Sequence, residues 1–118
     1  MANLCLPKSR TLQRKGEFKA VFDARLKGVN RNFVVYGRKN ELKFSRLGMA
    51  VSRKFGGAVQ RNRARRLIRE SFRLSQFSWP IGYDWVVIPR RDGFPNRLVE
   101  VQAALGHALR KVASRPTS

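Results

Sequence analysis

Residues 53–69 read RKFGGAVQRNRARRLIR, with two adjacent glycines followed by arginines at nearly every helical turn. The glycine pair breaks the chain before it, and the spacing of apolar residues after it predicts a helix that ends near Leu74. At about 100° per residue, one side of this helix holds polar residues within an arc of roughly 100°: Asn62, Arg65, Arg66, Arg69 and Arg73. The opposite side holds Ala64, Leu67, Ile68 and Ser71. We expect the second side to pack on a core and the first to face anions.

The charge of this segment is one-sided. Between Arg53 and Arg73 there are eight Lys or Arg residues and one acid, Glu70. A solvated helix face is the commoner explanation of a charged run, but such a face usually mixes signs at spacings of three and four so that ion pairs form. Arginine also outnumbers lysine here, and its planar guanidinium suits bidentate contacts with phosphate and stacking on bases. The segment therefore predicts a surface that binds nucleic acid.

The whole chain shares this excess of positive charge. Its 118 residues include 26 Lys or Arg and 7 Asp or Glu, which gives a formal charge of +19. The length predicts a single domain over 1–118, built as a small sheet with helices packed on it. We expect an ordered core at about 12–112, between a flexible basic N-terminus and a flexible C-terminal tail. Repulsion of this size destabilises a compact state until anions bind. We expect the isolated protein to be only marginally folded at low salt, and sulfate or RNA to raise its melting temperature in calorimetry.

Cysteine content and hydropathy indicate the cellular compartment of the protein. Cys5 is the only cysteine, so the sequence offers neither a disulfide framework nor a thiolate metal site. The first 14 residues lack the apolar core of a signal peptide, and no apolar run approaches the length needed to cross a bilayer. We therefore expect a cytoplasmic protein with no membrane association.

Two further helices are predicted by apolar residues at three- and four-residue spacing. The first, at 16–26, carries Phe18, Val21 and Phe22 on one face and has no Ser or Asp at its start to cap it. The second runs from Leu98 to Val112 and is strongly amphipathic, so we expect it to serve as scaffold.

Three strands are predicted outside these helices. Alternating residues at 32–38 and at 46–52 indicate two strands, which we expect to pair as an antiparallel hairpin through 39–44. Residues 83–88 are nearly all apolar, which is typical of a strand buried on both faces or in the middle of a sheet.

The order and spacing of these motifs resemble a known family. The segment Gly56-x-Ala58-Val59-x-Arg61-Asn62-Arg63-x-x-Arg66-Leu67-Ile68-Arg69 is similar to the signature of the bacterial ribonuclease P protein family. Three shorter motifs upstream fall in the same family order: Phe18-x-x-Val21-Phe22, Phe33-Val34-Val35-Tyr36 and Gly48-x-x-Val51-Ser52-x-Lys54. The resemblance covers about 12–112, and it departs from the family at Ala64, where a larger aliphatic residue is usual.

The resemblance implies an α+β fold, a two-layer α/β sandwich in the order α-β-β-β-α-β-α. Its sheet has four strands, and a left-handed crossover surrounds the arginine-rich helix. The residues by themselves indicate three strands, so the fourth, near 27–30, is expected from the resemblance alone. The hand of the crossover also rests on the resemblance, because connections between parallel strands are nearly always right-handed.

The resemblance also implies a role in RNA processing. Members of this family are protein subunits of ribonuclease P, an endonuclease in which a catalytic RNA and its Mg²⁺ ions remove the 5′ leader from precursor tRNA. We expect one protein per catalytic RNA, and a protein that itself holds no catalytic residue, metal or other cofactor. The acidic residues fit this expectation, because they are scattered along the chain with no close pair for two metal ions: Glu17, Asp23, Glu41, Glu70, Asp84, Asp92 and Glu100. His107, the only histidine, lies on the predicted scaffold helix, at its surface or boundary.

By the resemblance, two surfaces bind two RNAs. The first is expected to contact chiefly the catalytic RNA through Arg53, Lys54, Arg61, Asn62, Arg63, Arg65, Arg66, Arg69 and Arg73. The second is a cleft between the first helix, the sheet and the arginine-rich helix, where Phe18, Phe22 and Tyr36 are expected to stack on the single-stranded leader. These three aromatic residues could equally be core, which is the interpretation we favour for Val21 and Phe33.

Three other functions fit parts of the sequence. A ribosomal or other structured-RNA-binding protein without a role in cleavage would have the same composition and charge, and only the signature argues against it. A stand-alone nuclease would need metal-binding carboxylates that the sequence does not group together. A DNA-binding role fits less well, because the arginine-rich helix lacks the compact helical neighbours of a helix-turn-helix unit.

Overall fold

One mixed four-stranded sheet organises the fold, in the strand order β1-β2-β4-β3. The computed structural model of this chain describes residues 8–75 and 77–114. Its main elements follow in the order α1 (Lys15–Asp23), β1 (Leu26–Val29), β2 (Phe33–Lys39), β3 (Arg46–Met49), α2 (Ala58–Ser75), β4 (Tyr83–Pro89) and α3 (Leu98–Ala113). The predicted α+β class and order of elements are confirmed. The expected fourth strand exists as β1, and α1 is shorter than predicted because Leu26 already belongs to that strand.

The predicted hairpin between β2 and β3 is wrong. β4 lies between these two strands, antiparallel to β2 and parallel to β3. Alternation of apolar residues shows which face a side chain takes, but it does not show which strand is the neighbour. β4 is buried at every position from Tyr83 to Val87, and a strand of this kind belongs in the interior of a sheet. The sheet therefore places β4 centrally and β3 at the edge.

β2 instead forms a hairpin with β1. The side chain of Asn30 closes the turn, because its Oδ1 accepts hydrogen bonds from the backbone N–H groups of Asn32 (2.9 Å) and Phe33 (2.8 Å). The Nδ2 of Asn30 donates to the carbonyl of Ala104 in α3 at 3.0 Å. One asparagine thus fixes both the turn and its position against α3.

α2 and α3 cover one face of the sheet and form with it the two main layers. The main core lies between these layers, and Phe33, Trp85 and Leu105 are fully buried in it, as predicted for Phe33. α2 is also the connection from β3 to the parallel strand β4, so a crossover exists where the resemblance implied one. The hand of this crossover stays a prediction.

α1 lies on the opposite face of the sheet and covers only part of it. Val21 is fully buried there with Leu12 and Val86, which confirms its assignment to the core. Phe18 and Tyr36 pack at the margin of this second core and stay half-buried. Because α1 has only nine residues, part of this face remains open.

Predictions about the chain ends fall largely outside the described residues. Cys5 lies there, as does the tail beyond Ser114, so the flexibility expected for both ends stays a prediction. Among the helices that the structure describes, none combines the length and apolar character needed to span a membrane. Within the same residues, no three His, Cys, Asp or Glu side chains are grouped so that they could hold a metal ion.

Candidate nucleic-acid interface

α2 begins directly after the glycine pair. A short turn at Arg53–Phe55 leads into Gly56 and Gly57, and the carbonyl of Gly57 accepts the first hydrogen bond of the helix from the N–H of Arg61 at 2.9 Å. The helix therefore starts where the sequence predicted. The basic side chains of the turn, including that of Lys54, are exposed just ahead of it.

The inner side of α2 packs against the main core. Its predicted inner residues are buried or half-buried: Ala64, Leu67, Ile68 and Ser71. Phe72, which the helical pattern did not assign to a side, is also buried, and its ring contacts that of Trp79 edge-on with centroids 6.2 Å apart. This packing turns the opposite side of the helix toward solvent.

The outer side of α2 and the preceding turn carry most of the predicted RNA-binding residues at the surface. We call the exposed members the basic ridge: Arg53, Lys54, Asn62, Arg63, Arg66 and Arg69. Arg61 and Arg65 are half-buried. Arg63 is partly engaged, because its Nη2 donates to the carbonyl of Asn96 at 2.9 Å. The structure thus brings these positive charges together, whereas their role in binding stays a prediction.

Arg73 differs from the basic ridge. Its guanidinium donates to the Glu70 carboxylate, from Nε to Oε2 at 3.1 Å and from Nη2 to Oε1, and its side chain is only 18% exposed. The hydrogen bonds from Arg73 lower the pKa of Glu70 even though partial burial opposes ionisation. The charge of Arg73 is therefore already balanced within the protein, although the sequence placed it among the RNA-binding residues.

A groove runs between α2, β3 and the segment that precedes α1. Its volume is about 310 Å³, and it is lined by Thr11, Leu12, Gln13, Phe18, Leu47, Gly48, Met49, Arg65 and Arg69. Gly48 makes room for the ring on one wall, because a Cβ at this position would lie 2.8 Å from Phe18 Cε2 and 2.9 Å from Leu12 Cδ1. The structure therefore places an aromatic ring and two arginines of α2 around one open channel.

Phe22 and Tyr36 lie farther along the same face of the sheet. Their rings contact edge-on with centroids 4.8 Å apart, and Lys27 Nζ lies 5.6 Å from the centroid of Tyr36. Phe22 is 37% exposed, and it shares with Phe18 a wider, largely apolar hollow of about 530 Å³ on α1. Neither Phe22 nor Tyr36 lines the groove itself. All three predicted leader-binding aromatic residues are therefore partly accessible and none is fully buried.

A charged network that the sequence pattern did not reveal fixes α1 beside the groove. The Glu17 carboxylate accepts hydrogen bonds from the backbone N–H groups of Arg14 (2.9 Å) and Gln13 (2.8 Å), which caps the start of the helix. Arg46 in β3 donates from Nη1 to Glu17 at 3.1 Å and binds Asp84 in β4 through two hydrogen bonds of 2.8 and 2.6 Å. The backbone hydrogen bonds of Arg14 and Gln13, together with the charge of Arg46, lower the pKa of Glu17. A glutamate in the first turn of a predicted helix was the available signal.

Comparison with known proteins agrees with this architecture. The family model for Ribonuclease P matches residues 6–113. The ribonuclease P protein component of Staphylococcus epidermidis is 39% identical over 106 residues, which cover 89% of this chain and 91% of that protein.

Solved structures give the same result. The RNase P protein from Thermotoga maritima superposes with a TM-score of 0.78 at 36% identity, covering 86% of this chain and 96% of that chain. A Staphylococcus aureus RNase P protein mutant with defective mRNA degradation activity superposes with a TM-score of 0.80 at 32% identity, covering 90% of each chain. A family match over almost the whole sequence, with relatives of this identity and shape, shows that the chain belongs to the ribonuclease P protein family and has the role of an RNase P subunit in tRNA processing.

Proposed function

We propose that the basic ridge binds the catalytic RNA of ribonuclease P, and that the groove, with Phe18, Phe22 and Tyr36, binds the single-stranded 5′ leader of precursor tRNA. One protein serves one catalytic RNA. The protein joins substrate to ribozyme, and the RNA with its Mg²⁺ ions cuts the leader. The observation that carries this proposal is the groove, where Phe18, Arg65 and Arg69 line the same channel.

The basic ridge suits a folded RNA because its guanidinium groups can reach phosphates without first breaking ion pairs. Within residues 8–75 and 77–114, none of the side chains of the ridge forms a salt bridge with a carboxylate. Lys and Arg that neutralise phosphates release counterions, and each contact steepens the salt dependence of binding by about 0.7 to 0.9 log units. The ridge should therefore make assembly with the catalytic RNA strongly dependent on salt.

The groove suits a single strand because it combines an aromatic face with positive charge. An unpaired base can stack on Phe18, a contact worth about 1 to 3 kcal/mol per base. Arg65 and Arg69 line the same groove, and their positive charges would neutralise the phosphates on either side of that base. Stacking tolerates any base, so this design serves leaders of different sequence.

Among residues 8–75 and 77–114, no carboxylates are grouped as two-metal cleavage of a phosphodiester requires. Glu17 and Asp84 approach each other only through Arg46, whose guanidinium is hydrogen-bonded to both carboxylates. A pair of carboxylates occupied in this way is not open to two metal ions. His107 is exposed on α3 with no acidic partner among the described residues. We therefore assign catalysis to the RNA.

Reconstitution with a bacterial ribonuclease P RNA tests this proposal. The wild-type protein should lower the concentrations of Mg²⁺ and salt at which the RNA cleaves precursor tRNA. Arg66→Ala should weaken assembly and flatten its salt dependence, because Arg66 is exposed on the basic ridge. Arg110→Ala is the matched control, since it removes an exposed arginine from α3.

Two outcomes would contradict the proposal. A protein that binds RNA yet leaves the Mg²⁺ and salt requirements of cleavage unchanged would be a structured-RNA-binding protein without a role in cleavage. Equal losses for Arg66→Ala and Arg110→Ala would mean that positive charge anywhere on the surface suffices, and the basic ridge would lose its assigned role.

A further inference from the structure

Exposed apolar side chains collect where α2 ends and the chain turns toward β4. Leu74 in the last turn of α2 is 51% exposed, and the following connection carries Phe77 at 77% and Ile81 at 49%. The guanidinium of Arg10 lies 4.4 Å from the ring centroid of Phe44 and 6.0 Å from that of Phe77. We call Arg10, Phe44 and Phe77 the aromatic cluster. Exposed apolar side chains grouped in one region of the surface, as Leu74, Phe77 and Ile81 are, often mark a site that another molecule covers.

Each residue of the aromatic cluster lies close in sequence to a segment that lines the groove. The segment 11–13 lines the groove, and Arg10 directly precedes it. β3 forms another wall, and Phe44 lies two residues before the start of that strand. α2 contributes Arg69 to the third wall, and Phe77 follows two residues after the end of the helix. Each residue of the cluster is therefore adjacent in sequence to a segment that lines the groove, which sets the cluster near the end of the groove toward the C-terminus of α2.

We propose that Phe77 and Arg10 form an additional stacking site for a leader nucleotide that extends beyond the groove. The inference rests on the proposed function, since it needs the leader to run through the groove. Single-stranded RNA fits the site because an exposed ring offers a face to any base, and a guanidinium held against aromatic rings places a positive charge beside that base. A second copy of this chain fits poorly, because it would bring two molecules of formal charge +19 together.

A series of precursor tRNAs with leaders lengthened one nucleotide at a time tests the site. Each substrate carries a 2′-deoxynucleotide at the cleavage position to suppress cutting, and its affinity is measured for the complex of this protein with a bacterial ribonuclease P RNA. With wild-type protein, affinity should rise with leader length until the leader reaches Phe77. Phe77→Ala should remove only the last gain, so that the longest leaders bind about fivefold more weakly or worse while short leaders bind as before.

Two control variants sharpen the measurement. Phe77→Tyr keeps a ring and should keep the gain from the longest leaders. Val99→Ala truncates an apolar side chain on α3 that is 74% exposed, close to the exposure of Phe77, and it should match wild type at every length.

Three results would overturn the inference. The first is that the affinity of Phe77→Ala for precursor tRNA equals that of wild type at every leader length. The second is that its affinity falls equally at all lengths. The third is that the variant abolishes self-association of the free protein in sedimentation while leader binding is unchanged, in which case a second copy covers the cluster. A wild-type affinity that does not change with leader length would instead contradict the proposed function, so the two failures are distinguishable.

Discussion

The two faces of the sheet differ in how completely they are covered. Under α2 and α3, strand residues such as Phe33 and Trp85 are completely buried, whereas under α1 the neighbouring positions Tyr36 and Ile88 stay half-buried. The first face lies beneath helices of 18 and 16 residues, and the second beneath a helix of nine. Because side chains alternate along a strand, the same strands can supply scaffold on one face and an accessible binding surface on the other.

The largest effect that this comparison predicts comes from truncating one aromatic residue on each face. Phe33→Ala should lower the free energy of unfolding by about 3 to 5 kcal/mol, because it leaves a cavity in the main core. Tyr36→Ala should cost clearly less, since its ring is only half-buried, and should instead weaken leader binding. Urea denaturation at constant sulfate measures the first quantity and precursor tRNA binding the second. Equal destabilisation by the two variants would show that both faces are core.

A pair of glycine substitutions tests whether the groove depends on close packing. Gly48→Ala should destabilise the protein by about 1 to 3 kcal/mol and displace Phe18, because the new Cβ would lie 2.8 Å from that ring. Gly16→Ala in α1 is the matched control, since no atom lies within 4 Å of its Cβ position. Both the denaturation midpoint and the leader affinity should fall for Gly48→Ala, and neither should fall for Gly16→Ala. Leader affinity that survives Gly48→Ala would separate Phe18 from leader binding.

The attachment of α1 should depend on pH through Glu17. Because the pKa of Glu17 is lowered in the folded protein, its ionised form stabilises the fold above the ordinary carboxyl range, and this stabilisation is lost as the pH falls through the lowered pKa. Glu17→Gln should therefore be less stable than wild type by about 1 kcal/mol at neutral pH, with the difference shrinking in acid. Denaturation at several pH values measures it.

Glu100→Gln provides the control for this measurement. Glu100 also lies in the first turn of a helix, α3, but its side chain is exposed, so its replacement should change stability little at any pH. A difference between Glu17→Gln and wild type that persists unchanged in acid would mean that the ionised carboxylate does not hold α1.

The smallest predicted effect distinguishes exposed from balanced charge on α2. Arg66→Ala should reduce the slope of log affinity against log salt for the catalytic RNA by about 0.7 to 0.9, because it removes one phosphate contact from the exposed side of α2. Replacing Glu70 and Arg73 together by Gln removes a neutral pair and should leave the slope unchanged. Salt titrations of assembly give both slopes. If the double variant reduced the slope as much as the single variant, Arg73 would have to contact the RNA.

Helical periodicity predicted much of the fold from the sequence alone. The glycine pair and the helical spacing after it located α2 and its buried side, and the apolar spacing after Leu98 located α3. These signals depend only on residues close in sequence, so they can be recognised without knowing how the rest of the chain folds. The concentration of positive charge on the outer side of α2 followed from the same spacing.

Features that depend on distant residues could not be predicted in this way. The partner of β3 depends on where β4 inserts, and β4 is separated from β3 by the whole of α2. The network of Glu17, Arg46 and Asp84 joins three elements, so no sequence spacing reveals it. Likewise, Phe18 lies against Gly48 only because α1 and β3 meet on one face of the sheet. Resemblance to a family supplied the fourth strand, but geometry was needed to show which cations line the groove.

The proposed function requires the groove to act on the leader and not on the rest of the substrate. The most direct measurement compares Phe18→Ala with wild type, each assembled with a bacterial ribonuclease P RNA, in binding precursor tRNA and tRNA that has no leader. We predict that Phe18→Ala lowers affinity for precursor tRNA about fivefold or more and leaves affinity for leaderless tRNA unchanged. Equal losses on both RNAs, or no loss on either, would show that the groove does not bind the leader.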